Sequence, residues 1–173
     1  MAKKRIQDND VLKDLMSYTD SVFRICLGFS KNPWDAEDLM QEVYLKTFRE
    51  IRSLKNFDRR KEWLLRIAKN TCLNYVKKKR LNRFLFLNLS EYSVEQNNPE
   101  FQTIQSEQHH ILKGIISRLP KKHREIFILK EYGHLSYQEI ALVLGIKKGT
   151  VRSRLNRARR SIMIKLREAN YAE

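Results

Sequence analysis

Cysteine, proline and glycine are scarce: two, three and five residues of 173. Cys26 and Cys72 stand singly among apolar neighbours, without the Cys-x-x-Cys spacing of a metal knuckle or redox pair, so buried reduced thiols are expected rather than a disulfide. His109 and His110 are adjacent and diverge on a helix, which argues against a metal site. There is no glycine-rich phosphate loop and no His or Cys in a nucleophile arrangement, so neither a cofactor nor catalytic residues are expected, and the chain does not read as an enzyme. No apolar run approaches the roughly 20 residues that span a bilayer. The start, Met1 to Asp8, runs into charge rather than a secretory apolar stretch, which gives a cytoplasmic expectation. With so few helix breakers and apolar spacing that is helical almost throughout, the expected fold is all-α.

What the chain has in excess is positive charge, a formal +15 with a pI near 10.0. The simplest partner for that charge is nucleic acid or an anionic membrane. The stretch from Gly149 to Arg160 concentrates it. Val151, Leu155, Ala158 and Ile162 make one apolar stripe at helical spacing, while Thr150, Arg152, Asn156 and Arg159 fall opposite. Upstream, Ser136 to Leu144 reads as a shorter amphipathic helix, with Gly145 suited to a left-handed turn and Ile146 to plug the angle. That is a helix-turn-helix, whose arginine and asparagine side chains suit paired hydrogen bonds to guanine and adenine. A basic surface helix packed in a bundle is the plainer reading of the same residues.

A first helix is expected from about Asp10 to Gly28, with Leu12, Leu15, Met16, Val22, Phe23, Cys26 and Leu27 inward. Asn32 and Pro33, followed by Asp35, Glu37 and Asp38, open a second. There Ala36, Leu39, Met40, Val43, Tyr44 and Phe48 can face a core and Asp38, Gln41 and Glu42 face outward. An acidic strip on a basic chain suits a protein contact, or simply solvated helix charge. A third helix is expected from Glu62 to about Arg80, with Trp63, Leu64, Ile67, Ala68, Thr71, Cys72, Tyr75 and Val76 packed and Arg66, Lys69, Asn70, Asn74 and Lys77 on a basic side. A basic helix behind an aromatic loop can hold single-stranded nucleic acid, although Phe57 and Trp63 can equally be core. From Asn88 to Gln108 the chain has no Lys or Arg but carries Glu91, Glu95, Glu100 and Glu107, the composition of a linker whose end joins the next helix. The apolar run Phe84 to Leu87 before it can pack on the first domain or elsewhere. Two more helices, ending at Pro120 and Gly133, back the helix-turn-helix.

Together the segments 35–44 and 63–70, then Leu119-Pro120, 136–141 and 149–159, resemble regions 2 and 4 of the extracytoplasmic-function (ECF) bacterial sigma factors, promoter-recognition subunits of RNA polymerase. The resemblance covers about residues 12–167. It implies two small helical domains, 10–87 and 109–169, joined by an acidic linker, 88–108, that threads through the polymerase. It implies that Asp35, Asp38, Gln41 and Glu42 meet the clamp helices of the largest subunit of core polymerase, with the flap region as a further contact. Phe57, Arg66, Lys69, Asn70, Asn74 and Lys77 would engage and melt the −10 element. Ser136, Tyr137, Lys148, Thr150, Arg152, Ser153, Arg154, Asn156, Arg157, Arg159 and Arg160 would meet the −35 element. Core polymerase, promoter DNA and an anti-sigma factor are the implied partners. One departure stands out: five residues, Asp58 to Glu62, separate Phe57 from Trp63, where the family commonly has a longer loop with a second aromatic. The residues alone leave open an ordinary DNA-binding regulator and a basic membrane- or RNA-binding protein.

Overall fold

The computed structural model describes residues 11, 13–51, 54, 57–87 and 105–170, and every regular element among them is helical. Most of the linker and the side chain of Phe57 lie outside the described residues, as do Leu12 and the side chains of Phe84 to Leu87 and of His109 and His110. The expected first helix is broken at Ser17 and Tyr18. There the backbone N–H groups reach Asp14 O and Leu15 O three residues back, and the Ser17 and Thr19 hydroxyls donate to Asp14 O and Met16 O at 2.6 Å. Hydroxyls that compete for helix carbonyls favour such a turn. Leu15 is fully buried, while Met16, expected inside, is 50% exposed.

Helix α1 spans Thr19–Ser30 and ends on Lys31 in the left-handed region, φ 65°. Helix α2, Pro33–Glu50, starts as its sequence prescribes: the Asn32 side chain accepts from Trp34 N and Asp35 N, and Pro33 occupies the first turn. Its buried face is Ala36, Leu39, Val43, Tyr44 and Thr47. Phe48, expected in the core, is 52% exposed: Thr47 takes the inward position of that turn and its hydroxyl satisfies Val43 O. A short 3-10 turn, Phe57–Arg59, leads into α3, Arg60–Leu87, which starts earlier and runs seven residues beyond its expected end. Leu65 on α3 is fully buried although it lies outside the expected stripe. Helix α3 has neighbours on more than one side, α1 and α2 and also α6 of the C-terminal half, so its buried face is wide.

The C-terminal half comprises α4, Gln105–Arg118, α5, Lys121–Glu131, α6, Tyr137–Leu144, and α7, Lys148–Asn170. Pro120 separates the first two, and Gly145 turns α6 into α7 at φ 65°, where a side chain would be strained. One apolar cluster runs from Leu15, Val22 and Ile25 through Leu64 and Leu65 into Ile126, Leu129, Ile140 and Leu155. A smaller one joins Ile115, Ile116 and Leu119 of α4 to Ala158 and Ile162 of α7. The two halves therefore share a core, with α1 against α5 and α3 against α6. Gly28 permits the first approach, for a Cβ there would lie 2.7 Å from Ile128 Cγ2 and 3.0 Å from Tyr132 Cγ. Polar contacts reinforce it: Lys61 pairs with Glu139, Arg66 donates to Leu142 O at 3.1 Å, and Arg24 lies 3.2 Å from His134.

Inside the N-terminal bundle the two thiols meet. Cys72 of α3 donates to Cys26 of α1 with the sulfur atoms 3.7 Å apart, both fully buried and free. That hydrogen bond and then burial push the Cys72 thiol well above the usual range, so it stays protonated.

Candidate nucleic-acid interface

The two faces of α7 separate cleanly. Val151, Leu155 and Ala158 are fully buried, whereas Lys148, Arg152, Ser153, Asn156, Arg157, Arg159 and Arg160 are exposed. Thr150 and Arg154 are half-buried at the edges. Thr150 N and Val151 N bond back to Lys147 O, so the helix has already turned when it reaches Arg152. Tyr137, Lys148, Gly149 and Arg152 line one shallow depression beside that start, which puts a residue of α6 next to the candidate base-reading arginine.

Ser136 serves the fold first. Its hydroxyl accepts from Glu139 N at 3.2 Å, while Glu139 accepts from Ser136 N at 2.7 Å, a reciprocal cap that fixes the start of α6. Partial burial pushes the Glu139 carboxyl up, but the Lys61 ammonium and the Ser136 hydrogen bonds outweigh it and hold the group below the usual carboxylate range. Arg159 is not a loose cation either: its guanidinium donates to Glu131 at 2.6 and 3.1 Å, fastening α7 to α5. Arg152, Arg157 and Arg160 make no ion pair among the described residues.

On the N-terminal half, Arg66, Asn70, Asn74 and Lys77 are exposed along one side of α3, with Lys69 half-buried beside them. Burial draws the Lys69 ammonium below its usual range, with Arg66 and Lys121 adding to the effect and Glu125 opposing it. Arg66 is engaged by the Leu142 carbonyl, so one residue of the expected −10 set is held by the helix-turn-helix itself. Asp38, Gln41 and Glu42 are exposed on α2, Glu42 with Lys46 as a helical partner. Asp35 stands apart from them, turned toward α3, where it accepts from the Tyr75 hydroxyl at 2.6 Å and from Lys79 at 3.2 Å. Sequence reasoning missed Lys61 and Glu139, which join the halves; they lie 78 residues apart and carry no local signal of pairing. Among the described residues, no helix is long and apolar enough to cross a membrane.

A helix-turn-helix with an arginine-bearing second helix, packed on a helical bundle with its own basic face, is the build of a DNA-binding transcription protein. Comparison with known proteins agrees. Residues 15–81 match the family described as Sigma-70 region 2, and residues 109–162 the one described as Sigma-70, region 4. The chain is 29% identical over 183 residues to the ECF RNA polymerase sigma factor SigW of Bacillus subtilis, covering 97% of this chain and 98% of that one. It is 30% identical to SigM of the same organism, over 84% of this chain and 88% of that one. Among solved structures, the sigma factor RpoE of Bartonella quintana, in complex with the anti-sigma factor NepR, superposes with a TM-score of 0.67 at 23% identity, covering 91% of this chain and 97% of that one. The protein belongs to the ECF family of RNA polymerase sigma factors. Its class of function is promoter-specific transcription initiation with RNA polymerase, a regulatory rather than an enzymatic role.

Proposed function

We propose that this chain binds core RNA polymerase in the cytoplasm, places two DNA-reading surfaces at a promoter and stabilises the melted bubble, drawing on binding energy alone. The observation that carries the reading is the two-sidedness of α7, sealed at Val151, Leu155 and Ala158 and open at Arg152, Asn156, Arg157 and Arg160. In this scheme residues 109–169 form the −35 unit, residues 10–87 the polymerase-binding and −10 unit, and residues 88–108 the linker. Asp38, Gln41 and Glu42 are the candidate contact to the clamp helices. Asp35 contributes by holding α2 to α3 through Tyr75 and Lys79. Phe57, Arg66, Lys69, Asn70, Asn74 and Lys77 are the candidate −10 set. The complex of the Bartonella protein with NepR supports an anti-sigma factor as a further partner.

Within the −35 unit, side chains near the start of the second helix reach base edges and later ones lie against phosphates. Thr150, Arg152, Ser153 and Asn156 are therefore assigned as readers, Arg157 and Arg160 as anchors. Arg152→Ala is expected to cost about 1 to 3 kcal/mol on the preferred −35 duplex and much less on a scrambled one, because a bidentate pair to guanine exists only on the right base. Arg160→Ala should weaken both alike and reduce the salt slope by about one unit. Titrations of each variant with both duplexes at several salt concentrations check the assignment. Equal weakening by Arg152→Ala on both would leave it an electrostatic role and move specificity to another residue or to DNA shape.

A further inference from the structure

Between the end of α1, residues 75–80 of α3 and the corner between α4 and α5, the two halves form an open cleft of about 670 Å³. Six cations stand in its wall: Lys31, Lys79, Arg80, Arg118, Lys121 and Arg124. Lys79 reaches Asp35 at 3.2 Å and Lys121 approaches Glu125 at 4.0 Å, but the other four make no ion pair among the described residues. Arg124 donates through Nη1 to Ser117 O at 2.9 Å, while its Nε is buried with no hydrogen-bond partner. Burial first, then Arg124, Lys113 and Lys79, draw the Lys31 ammonium below its ordinary range; burial and Arg80 do the same to Arg124, with Glu125 opposing. Like charges gathered in a concave, partly desolvated site oppose folding, and a multivalent anion among them reverses the sign.

We propose that this cleft binds a small, multiply charged phosphorylated anion, of the diphosphate or nucleoside polyphosphate class. Two exposed guanidinium forks, on Arg80 and Arg118, match phosphoryl oxygens in pairs, and Lys31 and Arg124 add charge beside them. The volume falls within the roughly 300 to 1,000 Å³ of small-ligand sites, and Phe29, Val76 and Leu119 give it an apolar wall. A duplex backbone is the poorer fit, because the six cations line a concave cleft rather than a protruding face. Lys31, Lys79 and Arg80 belong to the N-terminal half and Arg118, Lys121 and Arg124 to the C-terminal half, so the bound anion bridges them and holds them packed.

The test is thermal unfolding and titration calorimetry of the full chain with sodium pyrophosphate, ATP and sodium chloride at matched ionic strength. Pyrophosphate should bind saturably and raise Tm by about 5 to 10 °C at a hundredfold excess over Kd, whereas chloride should not. ATP binding tighter than pyrophosphate identifies a nucleotide source; equal or weaker binding identifies the phosphoryl group alone. Lys31→Gln with Arg80→Gln should weaken pyrophosphate at least tenfold, and Lys13→Gln with Arg49→Gln, an equal loss of charge elsewhere, should leave it within twofold. If the first pair fails to fold, Arg118→Gln, at an exposed position, carries the same expectation. The proposal is overturned by a stabilisation common to all salts, by equal weakening in both pairs, or by a cleft variant that loses duplex DNA affinity as steeply as pyrophosphate affinity, which would make the cations a DNA backbone track.

Discussion

Asp38→Arg is expected to lower promoter-directed transcription by reconstituted core polymerase at least a hundredfold. Asp38 is exposed on α2 and makes no ion pair among the described residues, so reversing its charge removes nothing from the fold. Exposed substitutions of that kind usually shift stability by no more than about 0.5 kcal/mol. Against a basic partner helix the new cation meets like charge, which costs several kcal/mol at an interface, and about 1.4 kcal/mol is already tenfold in occupancy. Duplex DNA binding by the same full-length variant should remain at the wild-type level, because the proposed −35 surface lies on α7. Wild-type initiation would reduce Asp38, Gln41 and Glu42 to solvated helix charge.

Gly28→Leu should part the two halves without unfolding either. The glycine sits where α1 crosses α5, and its missing Cβ leaves room for Ile128 Cγ2 at 2.7 Å. A leucine puts four carbons into that contact, and overpacking a close-packed site typically costs about 1 to 3 kcal/mol, more when neighbours cannot yield. Within α1 itself the change favours helix by up to about 1 kcal/mol, so the penalty falls on the junction. A packed chain of 173 residues has a radius of gyration of about 16 Å. Small-angle scattering of the variant should give a value well above the wild-type one, with helical circular dichroism unchanged. Parting also frees Arg66 from Leu142 and Lys61 from Glu139, so the proposed −10 face should become more available to single-stranded DNA. An unchanged radius would mean that Ile128 and Tyr132 move aside and the shared core holds without this contact.

The features legible in the sequence are those fixed within one or two helical turns. Asn32 and Pro33 start α2, Ser136 with Glu139 starts α6, and Gly145 ends it, each because a backbone group or dihedral demands that residue type locally. The buried stripe of α7 followed from period alone. Met16 and Phe48 were misplaced because a hydroxyl, on Ser17 or Thr19 in one case and Thr47 in the other, decided the turn in which they sit. The expected site residues were less legible. The resemblance sets Asp35 in a partner contact and periodicity places Arg66 and Arg159 on outward faces, but the groups that hold them, Tyr75, Leu142 and Glu131, come from other helices. The cationic cleft is invisible for the same reason, its residues being drawn from four helices and their ends.

The sealed thiols of Cys26 and Cys72 give the N-terminal bundle a built-in reporter of its own opening. Reaction with an alkylating reagent needs an exposed thiolate, and here the sulfurs are inaccessible and Cys72 is held in its neutral form. Labelling at neutral pH therefore proceeds only from conformations in which α1 has left α3. When reclosing outpaces the reagent, the labelling rate measures the population of that opened state rather than the chemistry of sulfur. Opening that merely separates α1 from α5 leaves the α1 to α3 contact intact and goes unlabelled, so the same two atoms distinguish parting of the halves from unravelling of the bundle.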